Sequence, residues 1–183
     1  MFFKKNRKKE PKLLLIQGSL SPHSKTSLLI DEAAVMLKKK GVAHYEIFDI
    51  RTYDLDFCNG RELNEYSQDT QKAFSLIESA DAYIFGMPVY CYSISGGLKN
   101  LIDLTSNAMQ DKIAGIMCNS SGIRSYLASL DLLKILSYEA HITTVQPIVH
   151  TYKESFKNDK IFDEKVLEVM EEMIDGLIKF MKA

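Results

Sequence analysis

Short apolar runs alternate with longer amphipathic stretches along this chain. The runs predict strands at 12–17, 45–49, 81–86, 112–118 and 142–149. The first of them is apolar at every position from Leu13 to Ile16, as expected of a parallel strand that is buried on both faces. The amphipathic stretches predict helices at 25–40, 67–79, 97–107, 125–139 and 163–182. The polar and aromatic segment 50–66 is predicted to be a long loop.

The alternation of strands and helices predicts an α/β fold, with a parallel sheet covered by helices on both faces. For five strands the common order is 2-1-3-4-5, which is the flavodoxin-like three-layer sandwich. The chain shows no repeat at a fixed period and no linker, so we expect a single domain over 12–183. Ligands of such sheets bind at the carboxyl ends of the strands. The loops after strands one, three and four are therefore the candidate site.

Charged residues are distributed unevenly, although the formal net charge is only −1. Residues 1–12 hold six basic residues and one acidic residue, so this segment carries +5 and the rest carries −6. The near-neutral total excludes a polycation built for nucleic acid, and we expect no nucleic-acid partner for the domain. We interpret 1–11 as a basic, solubilising leader. Contact of this leader with an anionic surface or a nucleic acid is the alternative.

The cysteines and the apolar runs indicate where the protein resides. Cys58, Cys91 and Cys118 are odd in number and far apart, without a disulfide framework or a zinc pattern. The four histidines are scattered, and we expect no metal site. No apolar run reaches the roughly 18 residues that a membrane span requires, and the one behind the basic leader is too short for a secretory signal. We therefore predict a cytoplasmic protein with no membrane span.

The loop after the first strand, 18–27, has the composition of an anion-binding site. It places five hydroxyls and Lys25 between a strand and a helix, where the first amides of the helix and its dipole favour a negative group. It contains neither the P-loop pattern nor the glycine pattern of dinucleotide sites. We predict that it binds one terminal phosphate. A capping turn rich in Ser and Thr is the alternative.

Two further loops follow the third and fourth strands. The first begins at Pro88, which we expect to end the strand, and contains Tyr90 and Tyr92. An aromatic face beside backbone donors suits a flat heteroaromatic ring. The second, 119–122, consists of small residues, and Gly122 allows a positive φ and a close backbone approach. Packing at the sheet edge and an ordinary turn are the respective alternatives, but the fold gathers all three loops around one crevice.

Two motifs in these loops resemble the signatures of the NADPH-dependent FMN reductase family. The first runs roughly G-S-x-R-x-x-S-x-N-x-x-L and begins here at Gly18, with Ser21 and Thr26 where the family usually has Arg and Asn. The second runs roughly P-x-Y-x-x-S-x-x-G-x-L-K-N-x-x-D, and the segment from Pro88 to Asp103 matches every fixed position. The resemblance extends over residues 12–150 and implies the flavodoxin-like fold.

The resemblance implies a bound FMN and gives roles to residues of the three loops. Ser19, Ser24 and Thr26 would hold the phosphate. Ser21 and Lys25 would assist, with Lys25 supplying charge in place of the usual Arg. The residues expected along the isoalloxazine ring are Pro88, Val89, Tyr90, Cys91, Tyr92 and Ser93, and Cys91 is expected to be a small neutral residue rather than a redox partner. The residues expected to approach the other edge of the ring by their backbone are Asn119, Ser120, Ser121 and Gly122.

The resemblance also implies the activity, an oxidoreductase with NADPH or NADH as co-substrate. Hydride would pass from NAD(P)H to FMN and the electrons then to a small acceptor, which would be a quinone, an azo compound, free flavin or a metal ion, by ping-pong exchange. No side chain is expected to act as acid, base or nucleophile. Arg51 and Arg61 of the long loop are candidate contacts for a nucleotide phosphate. Relatives are usually dimers or tetramers, so we expect a homodimer or homotetramer.

Two other functions stay open from the sequence. A flavodoxin-like electron carrier without enzymatic activity would share the fold, but such carriers are generally strongly acidic, and −6 is modest. The tyrosine-bearing loop and its G-x-L-K-N sequence favour the reductase. The third possibility is a relative that has lost its flavin and only binds a partner.

Overall fold

The structure is a computed structural model that describes residues 10–182. The predicted basic leader therefore lies outside the described residues, except for Glu10 and Pro11. The strands are β1 (Leu13–Gln17), β2 (Tyr45–Asp49), β3 (Ala82–Tyr90), β4 (Ser93–Ile94), β5 (Ile113–Asn119), β6 (Thr143–Thr144), β7 (Val149–Thr151), β8 (Phe156–Lys157) and β9 (Lys160–Ile161). The helices are α1 (Lys25–Lys39), α2 (Gln68–Glu78), α3 (Gly96–Thr105), α4 (Ser129–Glu139) and α5 (Glu164–Lys182). None of these helices is long and apolar enough to cross a membrane.

The main sheet is parallel in the predicted order. β2, β1, β3 and β5 lie side by side, and β6 and β7 both pair with the far edge of β5. In the register, Gln17 at the end of β1 lies opposite Asp49 of β2 and Gly86 of β3. With β6 and β7 as two parts of the fifth strand, this is the order 2-1-3-4-5, and the prediction is confirmed.

Two hydrophobic cores, one on each face, make the three layers. Successive side chains of a strand point to opposite faces, so Leu14 and Ile16 of β1 join the core beneath α2, α3 and α4. Leu13 and Leu15 join the core beneath α1 and α5. The methionines of α5 are part of that second core: a Cβ on Gly115 of β5 would lie 2.1 Å from the Met173 sulphur. Only glycine allows α5 to pack this closely on the sheet.

The third strand is longer than predicted, because Pro88 does not end it. β3 continues to Tyr90 and returns as β4 in a short antiparallel hairpin, with Val89 opposite Ile94. Gly86 accepts a hydrogen bond from the Gly18 amide on the β1 side, so Pro88, two residues later, faces the same side. β1 has already ended there. The missing N–H of Pro88 therefore removes no hydrogen bond from the sheet.

The fifth strand and the following segment also differ from the expectation. The predicted run 142–149 is divided into β6 and β7, and Pro147, which has no N–H to donate to the ladder, lies between them. Beyond β7, the β8–β9 hairpin turns at Asn158 and Asp159, both with positive φ, as two-residue hairpin turns require. The long loop 50–66 is present, with short 3₁₀ turns at Ile50–Thr52 and Leu63–Glu65.

Candidate functional site

The three predicted loops meet in one cleft at the carboxyl edge of the sheet. Its volume is ≈ 530 Å³, within the usual range for a ligand site. The lining residues are Ser19, Ser21, His23, Ser24, Lys25, Thr26, Pro88, Val89, Tyr90, Cys91, Asn119, Ser120, Ser121 and Lys153. All predicted site residues therefore line the cleft except Tyr92, Ser93 and Gly122. His23 and Lys153 are additions.

The loop after β1 is fixed to β3 at its first residue. The Gly18 amide donates to the Gly86 carbonyl oxygen at 2.9 Å, and a Cβ on Gly18 would lie 2.8 Å from that oxygen. The side chain of Gln17 then orders the next residue, since its Oε1 accepts from the Ser19 amide at 2.5 Å and its Nε2 donates to the Ser19 carbonyl at 2.9 Å. These contacts fix the backbone of the loop at Gly18 and Ser19.

The first turn of α1 presents free hydrogen-bond donors to the cleft. Ser24 is the N-cap, and its hydroxyl accepts from the Ser27 amide at 3.2 Å. Within the described residues, the amides of Lys25 and Thr26 donate to no other group. The Thr26 methyl packs on Gly86, and its hydroxyl has no hydrogen-bond partner among residues 10–182. Unpaired amides at the positive end of a helix dipole, with hydroxyls beside them, suit a phosphate.

Three basic side chains belong to residues that line the cleft. Lys25 is engaged already, since its Nζ lies 2.6 Å from Asp159 Oδ1 in the β8–β9 hairpin. This ion pair holds the pKa of the Asp159 carboxyl below its usual range. His23 and Lys153 are exposed. We did not expect Lys153 from the sequence, although its position two residues after the last strand of the sheet is where this fold places ligand contacts.

The hairpin formed by β3 and β4 makes the second wall. Tyr90 is 49% exposed, and the turn residues Cys91 and Tyr92 have φ of 50° and 61°. The left-handed conformation is unfavourable for residues of this size. Tyr92 is not among the residues that line the cleft, and the Ser93 hydroxyl donates to Asp131 Oδ2 of α4 at 2.6 Å. Ser93 therefore connects the hairpin to α4 instead of lining the cleft.

The loop after β5 makes the third wall and is held by β7. The Thr151 hydroxyl donates to Asn119 Oδ1 at 3.2 Å, and the Thr151 carbonyl accepts from the Ser120 amide at 3.0 Å. The Ser120 hydroxyl donates to the Gly122 carbonyl at 2.9 Å. Gly122 is extended, with φ of −158°, so the positive φ that glycine allows here is not used. Nothing lies within 4 Å of its Cβ position.

The two arginines of the long loop are engaged in ion pairs and do not line the cleft. Arg51 contacts Asp49 at 2.5 Å, and the Asp49 carboxylate raises the pKa of the guanidinium. Arg61 contacts Asp56 at 2.6 Å and stacks on the Tyr66 ring at 4.1 Å. Neither is available for a nucleotide phosphate in this arrangement. Over residues 10–182, no group of three or more His, Cys, Asp or Glu side chains could hold a metal ion.

Comparisons with known proteins agree with this arrangement of fold and cleft. Residues 11–155 match the family model described as NADPH-dependent FMN reductase. The chain is 33% identical over 157 residues to an NAD(P)H-dependent FAD/FMN reductase of Geobacillus thermodenitrificans, covering 84% of each chain. It is 29% identical over 180 residues to a probable NADPH:quinone oxidoreductase of Oryza sativa, covering 90% of this chain and 86% of that one. Among solved structures, FerB, an NAD(P)H:(acceptor) oxidoreductase from Paracoccus denitrificans, superposes with a TM-score of 0.77 at 20% identity, covering 94% and 97% of the two chains.

Proposed function

Because this chain belongs to the NADPH-dependent FMN reductase family, we propose that the cleft between its three loops is the site at which it binds FMN and reduces a small acceptor. Family membership makes the protein an NAD(P)H-dependent flavoprotein oxidoreductase with FMN as its cofactor. The observation that carries the assignment to the cleft is the set of unpaired donors at the start of α1. They lie at one end of a cleft whose other walls are the two remaining loops.

The phosphate of FMN would lie at the first turn of α1. The amides of Lys25 and Thr26 and the hydroxyls of Ser19, Ser21, Ser24 and Thr26 are the donors there. A phosphate has three acceptor oxygens, and this set offers enough donors to satisfy them without disturbing the N-cap of the helix. The rigid attachment of the loop through Gly18 means that little ordering would be required on binding.

The ring system would lie between the hairpin and the loop after β5. Pro88, Val89, Tyr90 and Cys91 line one side, and Asn119, Ser120 and Ser121 line the other. Between these walls, FMN would supply the redox chemistry, taking up hydride from NAD(P)H and delivering the electrons to the acceptor. The residues of this chain orient the ring and leave one side of the open cleft accessible, so that NAD(P)H and the acceptor can use it in turn. We assign no acid, base or nucleophile among the side chains.

The acceptor proposed for this site is a small, flat molecule such as a quinone, an azo compound or free flavin, or else a metal ion. A flat, partly apolar acceptor would stack where the nicotinamide had been, because the walls of the cleft include the exposed ring of Tyr90. Two of the relatives are named for flavin reduction and for quinone reduction, which supports this class of acceptor.

We also propose that the protein is a homodimer or homotetramer that places an apolar surface beside the cleft between subunits. Four apolar side chains, three in the 3₁₀ helix Ile123–Ala128 and one in the first turn of α4, are each at least 50% exposed: Ile123, Tyr126, Leu127 and Leu130. Apolar surface of this kind is typical of interaction sites. The molar mass from light scattering tests the proposal: the wild type should form an oligomer and Leu127→Glu a smaller species. A monomeric wild type would refute it.

For the remainder of the chain, we propose a single domain from 12 to 183 that follows a basic leader and resides in the cytoplasm. The support for the location is that Cys58, Cys91 and Cys118 are all free thiols. β1 begins at the amino edge of the parallel sheet, opposite the cleft. Removal of residues 1–10 should therefore leave FMN affinity and turnover near the wild-type values, and a large loss of either would contradict the division.

The proposed function is tested by flavin binding and by turnover in the same preparation. On titration with the protein, the fluorescence of FMN should be quenched. The yellow complex that forms should oxidise NADH or NADPH with a benzoquinone as acceptor. Thr26→Val keeps the methyl that packs on Gly86 and removes only the hydroxyl, so FMN affinity should fall about tenfold. Thr144→Val is the matched control, because the Thr144 hydroxyl likewise has no hydrogen-bond partner among the described residues but lies outside the cleft. A protein that binds no FMN, or equal effects of the two variants, would contradict the site.

A further inference from the structure

The phosphate expected in the cleft is negatively charged, and we ask which side chain neutralises it. A phosphate monoester carries about two negative charges near pH 7, and the family motif has an arginine where this chain has Ser21. Hydroxyls and amides supply hydrogen bonds but no net charge. The cationic side chains that line the cleft are those of Lys25 and Lys153, with His23 beside them.

Lys25 is not free to neutralise a ligand. Its ammonium lies 2.6 Å from Asp159 Oδ1 and 5.5 Å from the centre of the Phe156 ring, both in the β8–β9 hairpin. An ion pair has no net charge, so a ligand near Lys25 meets the carboxylate as well as the ammonium. Asp159 lies beyond the segment that matches the family model, which ends at residue 155.

Lys153 differs from Lys25, because its ammonium has no carboxylate partner among the described residues. Two contacts fix its backbone at the carboxyl edge of the sheet. Thr151, two residues earlier, lies in register with Asn119, and the Lys153 carbonyl accepts a hydrogen bond from the Phe156 amide. Its side chain lines the cleft together with Ser19, Ser24 and Thr26. No carboxylate of the described residues lies within 4.0 Å of its ammonium.

We propose that Lys153 is the cation that neutralises the phosphate of the bound flavin, and that Asp159 withholds Lys25 from it. This inference rests on the proposed function. Lys153 thereby replaces the motif arginine from a different part of the chain, as a flexible point charge that contributes attraction rather than a fixed two-pronged geometry. The β8–β9 hairpin sets the affinity for the phosphate, because it carries the carboxylate that competes for Lys25.

The experiment compares the dissociation constants of FMN and riboflavin, which differ only by the phosphate. Lys153→Met should weaken FMN binding about tenfold and leave riboflavin binding unchanged. Lys153→Arg should retain FMN affinity. Asp159→Asn releases Lys25 from its ion pair. It should strengthen FMN binding about threefold and have no effect on riboflavin binding. Lys157→Met is the control for net charge, because it removes another exposed lysine, in the hairpin that carries Asp159, that does not line the cleft.

The outcomes separate the inference from the proposed function. An equal ratio of FMN to riboflavin affinity in Lys153→Met and in the wild type would overturn the role of Lys153. A larger loss of FMN affinity in Lys25→Met than in Lys153→Met would overturn it as well, since it would make Lys25 the neutralising charge. A wild-type protein that binds neither flavin would refute the proposed function itself. Thermal unfolding of each variant confirms that the ratios refer to folded protein.

Discussion

The hydroxyl of Ser95 donates to the Gly18 carbonyl oxygen at 3.0 Å, and in doing so it joins the loops after β1 and β3. Ser95 is 3% exposed and is also the N-cap of α3, where its hydroxyl accepts from the Leu98 amide at 3.3 Å. One side chain thus satisfies a helix terminus and fixes the distance between two walls of the cleft.

Replacement of Ser95 by Ala should therefore affect both stability and binding. We expect the free energy of unfolding to fall by about 1–2 kcal/mol, because a buried carbonyl and a helix terminus each lose a partner. FMN affinity should fall as the two loops lose their connection. Ser67→Ala removes the N-cap of α2, far from the cleft, and should lower stability alone. Urea denaturation and flavin titration of both variants provide the comparison, and equal FMN affinity in the two would contradict the coupling.

The free energy of unfolding should depend on pH in the acidic range because of Asp56, which lies in the long loop 50–66. Its carboxylate accepts from the Ser67 amide at 2.8 Å, the Thr70 hydroxyl at 3.0 Å and Arg61 at 2.6 Å. These hydrogen bonds, those from Ser67 foremost, hold the pKa of the carboxyl well below its usual 3.8. Because the folded pKa is depressed, the stabilisation is present above pH 3.8 and is lost as the pH falls toward the folded value.

Asp56→Asn tests this dependence. The variant should be less stable than the wild type at neutral pH, and the two should converge as the pH is lowered from about 5 to 2. Asp31→Asn, which changes an exposed carboxylate of α1, is the control for the loss of one carboxylate. If the free energies of unfolding of Asp56→Asn and the wild type fell in parallel as the pH was lowered, Asp56 would not be the cause of the pH dependence.

The strand order could be predicted from the sequence, because runs such as 13–16 are apolar on both faces and only a covered parallel sheet buries them so. The extension of β3 could not. Pro88 normally ends a strand, and its tolerance here depends on where the neighbouring strand β1 stops. The division of the fifth strand at Pro147 could have been inferred from the missing N–H, although the run 142–149 looks continuous in its β-branched residues.

The candidate site could be predicted as far as it consists of residues next in sequence to strand ends. Ser19 and Thr26 lie where the loop composition placed them. Lys153 and the Lys25–Asp159 pair depend on a hairpin beyond the fifth strand, and the composition of 153–161 does not reveal that it folds back beside α1. Which charges are free and which are paired is a tertiary property.

The turn between β3 and β4 should be a point of strain that glycine relieves. Tyr92 has a φ of 61°, which costs a non-glycine residue roughly 1–2 kcal/mol. We expect Tyr92→Gly to raise the free energy of unfolding by about 1 kcal/mol, after the greater entropy of glycine in the unfolded chain is included. Tyr138→Gly changes another exposed tyrosine, within α4, and should lower the free energy of unfolding by about 1 kcal/mol. Urea denaturation distinguishes the two signs, and a loss in both variants would contradict the left-handed turn.

The three cysteines should report on the cleft by their reactivity toward Ellman's reagent. Cys58 and Cys91 are exposed, whereas Cys118 is 2% exposed and burial raises its pKa to about 12. Because the thiolate is the reactive form, two thiols should react in the native protein at pH 8 and the third only on unfolding. Three rapid thiols would contradict the burial of Cys118.

Bound FMN should then protect one of the two reactive thiols. Cys91 lines the cleft and Cys58 does not, so saturating FMN should slow the labelling of Cys91 alone, and Cys58 serves as the internal control. Cys91→Ser identifies which rate belongs to which thiol. Riboflavin should also protect Cys91, because the hairpin is expected to contact the ring rather than the phosphate, whereas inorganic phosphate should not. Undiminished labelling of Cys91 at saturating FMN would place the flavin elsewhere.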